Sequence, residues 1–147
     1  MCEYTLGFVK PHAYKHRREI RKMIERAGLS IAVEKDPYEF TKERSGVHYE
    51  EHMGKPFYSQ IIDSVTNGYC ALWIIGGEGA ILRLSELSGE TNPKDAAEGT
   101  IRRRFGESMT RNAFHRADSR RSVKREIYLH FDPEEIPENV KKVINAY

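Results

Sequence analysis

The segment YCALWII, residues 69 to 75, is an apolar run of strand length without a charge or a turn former. It is shorter than an ordinary helix and reads as a central strand covered on both faces. Upstream, YTLGFV (4–9) is a first strand ended by Pro11, with Lys10 at its exit. Ile20, Met23, Ile24 and Ala27 recur at helical spacing and Gly28 stops the run, which predicts a helix over 15–27. LSIAVEKDPYEF alternates Leu29, Ile31 and Val33 and predicts a second strand bent at Pro37. Thr41 caps a helix through Met53, and a further helix from Pro56 to Val65 places Phe57, Ile61, Ile62 and Val65 on one side before Gly68 breaks it.

Downstream, GGEGAILRLSELSG carries Ile81, Leu84 and Leu87 at helical spacing and ends at Gly89. The polar stretch 89–111, broken by Asn-Pro and Gly, has room only for short helical turns and is long enough to be a functional loop. NAFHRAD (112–118) predicts a short last strand. SRRSVKREIYLHF fits a helix through Val123, Ile127 and Phe131 or a strand through Ile127, Leu129 and Phe131. The helix is preferred, because Ser119 can cap it and its charges suit an exposed face. The order β, α, β, α, α, β, α, loop, β, α reduces to βαββαβ when the extra helix is dropped. That is the α+β ferredoxin-like pattern: one domain over 1–147, a four-stranded antiparallel sheet with helices packed on one face.

A chain of 147 residues with 39% hydrophobic and 31% charged residues, and a mean hydropathy of −0.67, has the composition of a soluble globular domain and not of a disordered one. No stretch approaches the ~18 apolar residues of a membrane span. No secretory leader is visible at MCEYTLGFVKPH, and Cys2 and Cys70 make neither a disulfide framework nor a zinc cluster, so a cytoplasmic setting is expected. The net charge of +2 hides an excess between 102 and 125, where nine Lys or Arg face only Glu107 and Asp118. Such a segment attracts nucleotide phosphates or, as a secondary reading, a nucleic acid backbone.

Neither GxxxxGK[ST] nor GxGxxG is present, and GGEGA reads as a strand-to-helix turn. HYEEH (48–52) matches H-x-x-E-H, in which two histidines bind zinc and the glutamate, here Glu51, acts as base. No third ligand can be nominated, and a solvated helical face is the preferred reading. In RNAFHRADSRRS (111–122), His115 is ringed by arginines and a carboxylate and is open to three roles: buried spacer, metal ligand or nucleophile.

VKPHA (9–13), HYEEHMGKPFY (48–58), GETNPKDAAEGTIRRRF (89–105), RNAFHRADS (111–119) and REI (125–127) resemble, in order and spacing, the motifs of the nucleoside diphosphate kinases. The resemblance implies transfer of the γ-phosphate of a nucleoside triphosphate, typically ATP, to a nucleoside diphosphate through a phosphohistidine on His115. Imidazole suits that role because much of it is neutral at pH 7. By family position Glu126 orients the ring and Nδ1 attacks; Lys10 reaches the γ-phosphate and Tyr49 orders the lysine and histidine. The resemblance further places Thr91 and Arg102 on phosphates, Asn112 on sugar hydroxyl and phosphate, and the base on Phe57 between Ile61 and Met109. Mg²⁺ is implied as cofactor, held mainly by nucleotide phosphates with no protein metal site, and so is a homo-oligomer, hexamer or tetramer.

Three positions depart from the pattern. Ser85 stands where the family has an arginine against the phosphates, with Arg103 and Arg104 on the loop as candidates to compensate. Arg116 replaces the glycine after the histidine, and Ala117 replaces the serine that follows. Loss of that hydroxyl is expected to cost about 0.5 to 1.5 kcal/mol, or roughly threefold to tenfold in rate.

Overall fold

The computed structural model describes residues 2–147. The chain runs β1 (Cys2–Val9), a 3-10 turn (Pro11–His16), α1 (Arg17–Arg26), β2 (Ser30–Tyr38), α2 (Lys42–His48), a 3-10 turn (Glu50–His52), α3 (Tyr58–Thr66), β3 (Cys70–Glu78) and α4 (Ala80–Ser88). There follow α5 (Ile101–Phe105), β4 (Phe114–Arg116), α6 (Arg120–His130), a 3-10 turn (Pro133–Glu135) and α7 (Glu138–Ile144). The strands form one antiparallel sheet in the order β2-β3-β1-β4, the ferredoxin-like arrangement.

Side chains alternate across a strand, and the two central strands use both faces. Leu6, Phe8, Leu72 and Ile74 pack on one side with Val123 and Ile127 of α6 and Val140 and Ile144 of α7. Ala71, Trp73 and Ile75 pack on the other with Ile20 and Ile24 of α1, Leu84 of α4 and Ile101 of α5. Helices therefore cover both faces of the sheet, not one as the sequence suggests. A bare face would leave Trp73 and Ile75 in water, at about 1.5 to 3 kcal/mol for each large side chain.

Caps read from sequence hold: Thr41 accepts from the Arg44 amide at the start of α2, and Ser119 from the Ser122 amide at the start of α6. The helix expected from Thr41 to Met53 stops at His48 and continues as the 3-10 turn. An unbroken helix would carry His52 onto the buried face of His48; instead His52 meets Lys55 at the surface. Residues after Phe131, to which the sequence assigned nothing, form α7 and a closing contact: the Tyr147 hydroxyl donates to Tyr4 O (2.7 Å) and accepts from the Tyr4 amide (2.9 Å).

Candidate active site

β4 lies at the sheet edge, paired with β1 so that Val9, Phe8 and Gly7 oppose Phe114, His115 and Arg116. Gly7 makes the pairing possible, because a Cβ there would sit 2.5 Å from the Phe114 ring. Just before the strand, Ala113 has φ +76°, a conformation that costs a non-glycine residue about 1–2 kcal/mol. Two hydrogen bonds hold it: its amide donates to His12 Nε2 and its carbonyl accepts from the Lys10 amide, both at 2.9 Å. This kink shortens the strand expected over 112–118.

The His115 ring stacks on buried Phe8, with centroids 4.8 Å apart. α6 brings Glu126 Oε1 to 2.6 Å from His115 Nε2, which leaves Nδ1 as the nitrogen free for chemistry. Burial first, then the charges of Lys10, Arg102 and Arg116, holds the imidazole well below its ordinary pKa. Burial pushes Glu126 the other way, up to about 7. Lys10 is buried, donates Nζ to Thr110 O (3.0 Å), and is lowered to about 7 by burial and by Arg102. A phosphate beside it restores its charge.

Around this centre several groups await partners. The Tyr49 hydroxyl, Asn112 Oδ1 and Arg116 Nε are buried without one. Asn112 Nδ2 donates to Met109 O (2.8 Å) and fixes the turn before the kink. Arg102 uses three of its five N–H donors on backbone, Nε and Nη2 on Phe114 O and Nη1 on Gly89 O, which ties β4 to the end of α4 and leaves one N–H on each Nη. At the mouth, Phe57 is 43% and Met109 55% exposed, large apolar surfaces left in water beside half-buried Ile61. Thr91 lies exposed on the long loop. All ten residues singled out in the sequence, Lys10, Tyr49, Phe57, Ile61, Thr91, Arg102, Met109, Asn112, His115 and Glu126, line one cleft of about 1290 Å³.

Other expectations are corrected. Arg103 donates to Lys94 O and Arg104 to Glu19, so neither replaces the arginine missing at Ser85. Arg116 lines the cleft instead, together with Arg121. Of the basic run, Arg102, Arg111, Arg116, Arg121 and Arg125 line the cleft, with Arg111 paired to Glu107 and Arg125 to Glu50, whereas Arg120 turns to Glu3. The two histidines of HYEEH are parted, His48 inward and His52 outward, which removes the H-x-x-E-H geometry. His48, His115 and Glu126 do cluster within 4.8 Å. The 2.6 Å hydrogen bond between two of them is shorter than the roughly 3.3 Å that separates two ligands of a tetrahedral zinc.

The sequence missed the partners of His48. Its Nδ1 lies 2.9 Å from His130 Nε2, and His130 Nδ1 lies 2.8 Å from the Tyr38 hydroxyl. No local signal marks His130, which sits among helical residues that only the fold turns inward.

These burials set a pH dependence. Burial lowers His48 and His115 well below the ordinary value and His130 to about 3. The unfolded chain binds these protons below about pH 6.5 and the native chain does not, so stability is full above that pH and is lost as pH falls. Each histidine removes up to about 1.4 kcal/mol per pH unit. Glu126, raised to about 7, acts oppositely between about 7 and 4.5, but it is one group against four, since burial also lowers His12 to about 4. Thermal melts should therefore show Tm falling steadily from pH 7 to pH 5; a flat Tm would contradict the neutral state of the four rings.

The family model "Nucleoside diphosphate kinase" matches residues 3–136. A nucleoside diphosphate kinase of Rickettsia canadensis is 38% identical over 138 residues, covering 92% of this chain and 98% of that protein, and one of Rickettsia felis is 37% identical over the same span. Among solved structures, the nucleoside diphosphate kinase of Aquifex aeolicus superposes with a TM-score of 0.87 at 32% identity, over 93% of this chain and all of the other. A halophilic nucleoside diphosphate kinase from Halobacterium salinarum, in complex with CDP, gives 0.87 at 28% identity over 98% and 99%. Agreement in sequence over nearly the whole length, and in the fold that sets His115 against Glu126, places the chain in the nucleoside diphosphate kinase family.

Proposed function

We propose that this phosphotransferase carries the γ-phosphate on His115. The observation that carries the reading is the His115 Nε2 to Glu126 Oε1 hydrogen bond of 2.6 Å, inside a cleft lined by Lys10, Arg102 and Arg116. In the first half-reaction the Nδ1 lone pair forms a P–N bond, the bond from the γ-phosphorus to the bridging oxygen breaks, and the nucleoside diphosphate leaves. The proton stays on Nε2, and the positive charge that develops on the ring faces the Glu126 carboxylate. The second nucleoside diphosphate takes the phosphate back by the reverse step, so one site serves donor and acceptor in turn. On this reading Lys10 and the orphan Tyr49 hydroxyl serve the transferred group, and Thr91, Arg102 and Asn112 the phosphates and sugar, a reading supported by their sharing one cleft. Phe57, Ile61 and Met109 offer an apolar slot that reads a base by its face, which admits purines and pyrimidines alike.

Members of the family use a divalent metal, and Mg²⁺ is the ion proposed here. The cations of the cleft would repel a resident ion, whereas they fit one that arrives bound to nucleotide phosphates, with Asp118 as the nearby carboxylate. Bound there, it neutralises phosphate charge during transfer. A homo-oligomer, hexamer or tetramer, is proposed on family grounds, and the outer edge of β2 is available to such an assembly. A cytoplasmic setting is supported by two free thiols, at Cys2 and Cys70. No helix among the described residues is long and apolar enough to cross a membrane.

The test is incubation with γ-labelled ATP and no acceptor. An acid-labile, base-stable label should form on the protein and be discharged by any nucleoside diphosphate. A chain that takes no label ends this reading.

Arg116 is proposed as the phosphate cation that stands in for the one absent at Ser85, because its Nε is buried in the cleft wall without a partner. Arg116→Ala should raise KM for nucleotides roughly tenfold, the weight of one charge-assisted hydrogen bond. Steady-state kinetics with KM unchanged would make Arg116 a bystander.

A further inference from the structure

A line of polar side chains leads from the His115 ring to a guanidinium at the surface. Arg44, exposed on α2, donates Nη1 to the Tyr38 hydroxyl at 3.1 Å. Tyr38 and His130 are buried and 2.8 Å apart, His130 and His48 are buried and 2.9 Å apart, and His48 Nε2 lies 3.7 Å from Glu126 Oε1. That same oxygen is 2.6 Å from His115 Nε2.

The direction of each bond follows from donor chemistry. A guanidinium only donates, so the Tyr38 oxygen accepts from Arg44 and its own hydrogen goes to its other neighbour, His130 Nδ1. A neutral imidazole carries one proton, and burial keeps these rings neutral. His130 therefore holds its proton on Nε2 and donates to His48 Nδ1. His48 in turn holds its proton on Nε2, beside Glu126 Oε1. At 3.7 Å that last step is electrostatic and not a hydrogen bond. An oxygen with N–H groups on two sides is held as an acceptor, so the proton of His115 belongs on Nε2 and its Nδ1 lone pair stays bare.

We propose that Arg44, Tyr38, His130 and His48 form a tautomer relay which, through Glu126, keeps Nδ1 of His115 free for phosphoryl transfer. The four are positioning residues, and the inference rests on the reading of His115 as phosphocarrier. With the polarity reversed, His48 Nε2 would present a lone pair to Glu126 and favour its protonated form. Protonated Glu126 would donate to His115 Nε2 and move the ring proton to Nδ1, closing the nucleophile.

Imidazole ¹⁵N spectra of the nucleotide-free wild type, recorded above the Glu126 value of about 7 so that its carboxylate is ionised, report the protonated nitrogen of each ring. The relay requires Nε2–H at His130, His48 and His115; Nδ1–H at either His130 or His48 overturns it. Tyr38→Phe removes only the hydroxyl and retains the ring contacts with Phe40 and His130. It should introduce Nδ1–H signal at His130 and His48 and slow phosphoenzyme formation roughly threefold to tenfold with KM unchanged. Unaltered tautomers in that variant also overturn the relay. Arg44→Leu, at the exposed end, is a second variant with the same expected shift should Tyr38→Phe fold poorly. The spectra need no nucleotide, so the two readings fail separately: a wild type without ATP label removes the phosphocarrier alone, and wrong tautomers with normal labelling remove the relay alone.

Discussion

His115→Asn should lower turnover between ATP and a second nucleoside diphosphate by about 10⁴-fold or more, the scale seen when the nucleophile of a covalent mechanism is removed. Asparagine fits the space, and although its shorter amide stops short of Glu126, the cleft and its cations persist. What is lost is the lone pair. Positioning of two nucleotides cannot replace it, because in the proposed mechanism donor and acceptor use the cleft in turn and never meet. Nucleotide binding, measured by calorimetry or fluorescence, should stay within a few-fold of wild type while transfer vanishes. Transfer at a tenth of the wild-type rate would mean that His115 is not the carrier.

Glu126→Gln should cost roughly 10² to 10⁴ in kcat, with little change in KM. An amide that turns its NH₂ toward His115 Nε2 demands a lone pair there and drives the ring proton to Nδ1. Replacing the orienting aspartate of a serine protease by asparagine enforces a wrong tautomer in the same way, and its loss of about 10⁴ sets the upper end of that range. Turning the amide oxygen toward His115 instead restores the tautomer but not the negative charge that stabilises the phosphorylated ring. Stability should move the other way. Burial holds the Glu126 carboxylate up to about 7, so ionising it in place is unfavourable, and a neutral amide avoids that cost. A variant that melts no lower than wild type above pH 7 yet turns over slowly separates orientation from folding. Equal losses of Tm and kcat would assign Glu126 to structure alone.

The parts of the fold that were legible in sequence are those decided locally. Ser119 settles the choice between helix and strand for α6: its hydroxyl accepts from the Ser122 amide and starts a helix, although Ile127, Leu129 and Phe131 also alternate as a strand would. The strand at 69–75 was legible because a run apolar at every position can only be buried on both faces, and the structure extends it to Glu78. Two helical faces where one was expected, and α7 where nothing was assigned, depend on how distant segments share the sheet. The ten site residues were legible through family motifs; their convergence on one cleft is a property of the fold.

The relay shows the opposite limit. His48 and His130 are 82 positions apart and meet only because α2 and α6 cover the same face of the sheet. HYEEH reads first as a solvated helical face and second as a metal site, but His48 is buried, and its actual neighbour carries no motif. Adjacency along the loop favours Arg103 and Arg104 as compensating cations, but a short helix, α5, turns them toward Lys94 and Glu19. Arg116 reaches the cleft from the strand end.

The sheet's order has a bearing on which part of the molecule yields first. β3 is paired on both sides along most of its nine residues, so its amides open only when the whole domain opens. β4 is only three residues on an edge, yet its release would break the bonds to β1 and Arg102's grip on Phe114 O and would also pull the fully buried Phe114 ring from beside Trp73. His115 is thus anchored by its strand neighbour, and the nucleophile can shift only as far as the core ring beside it allows.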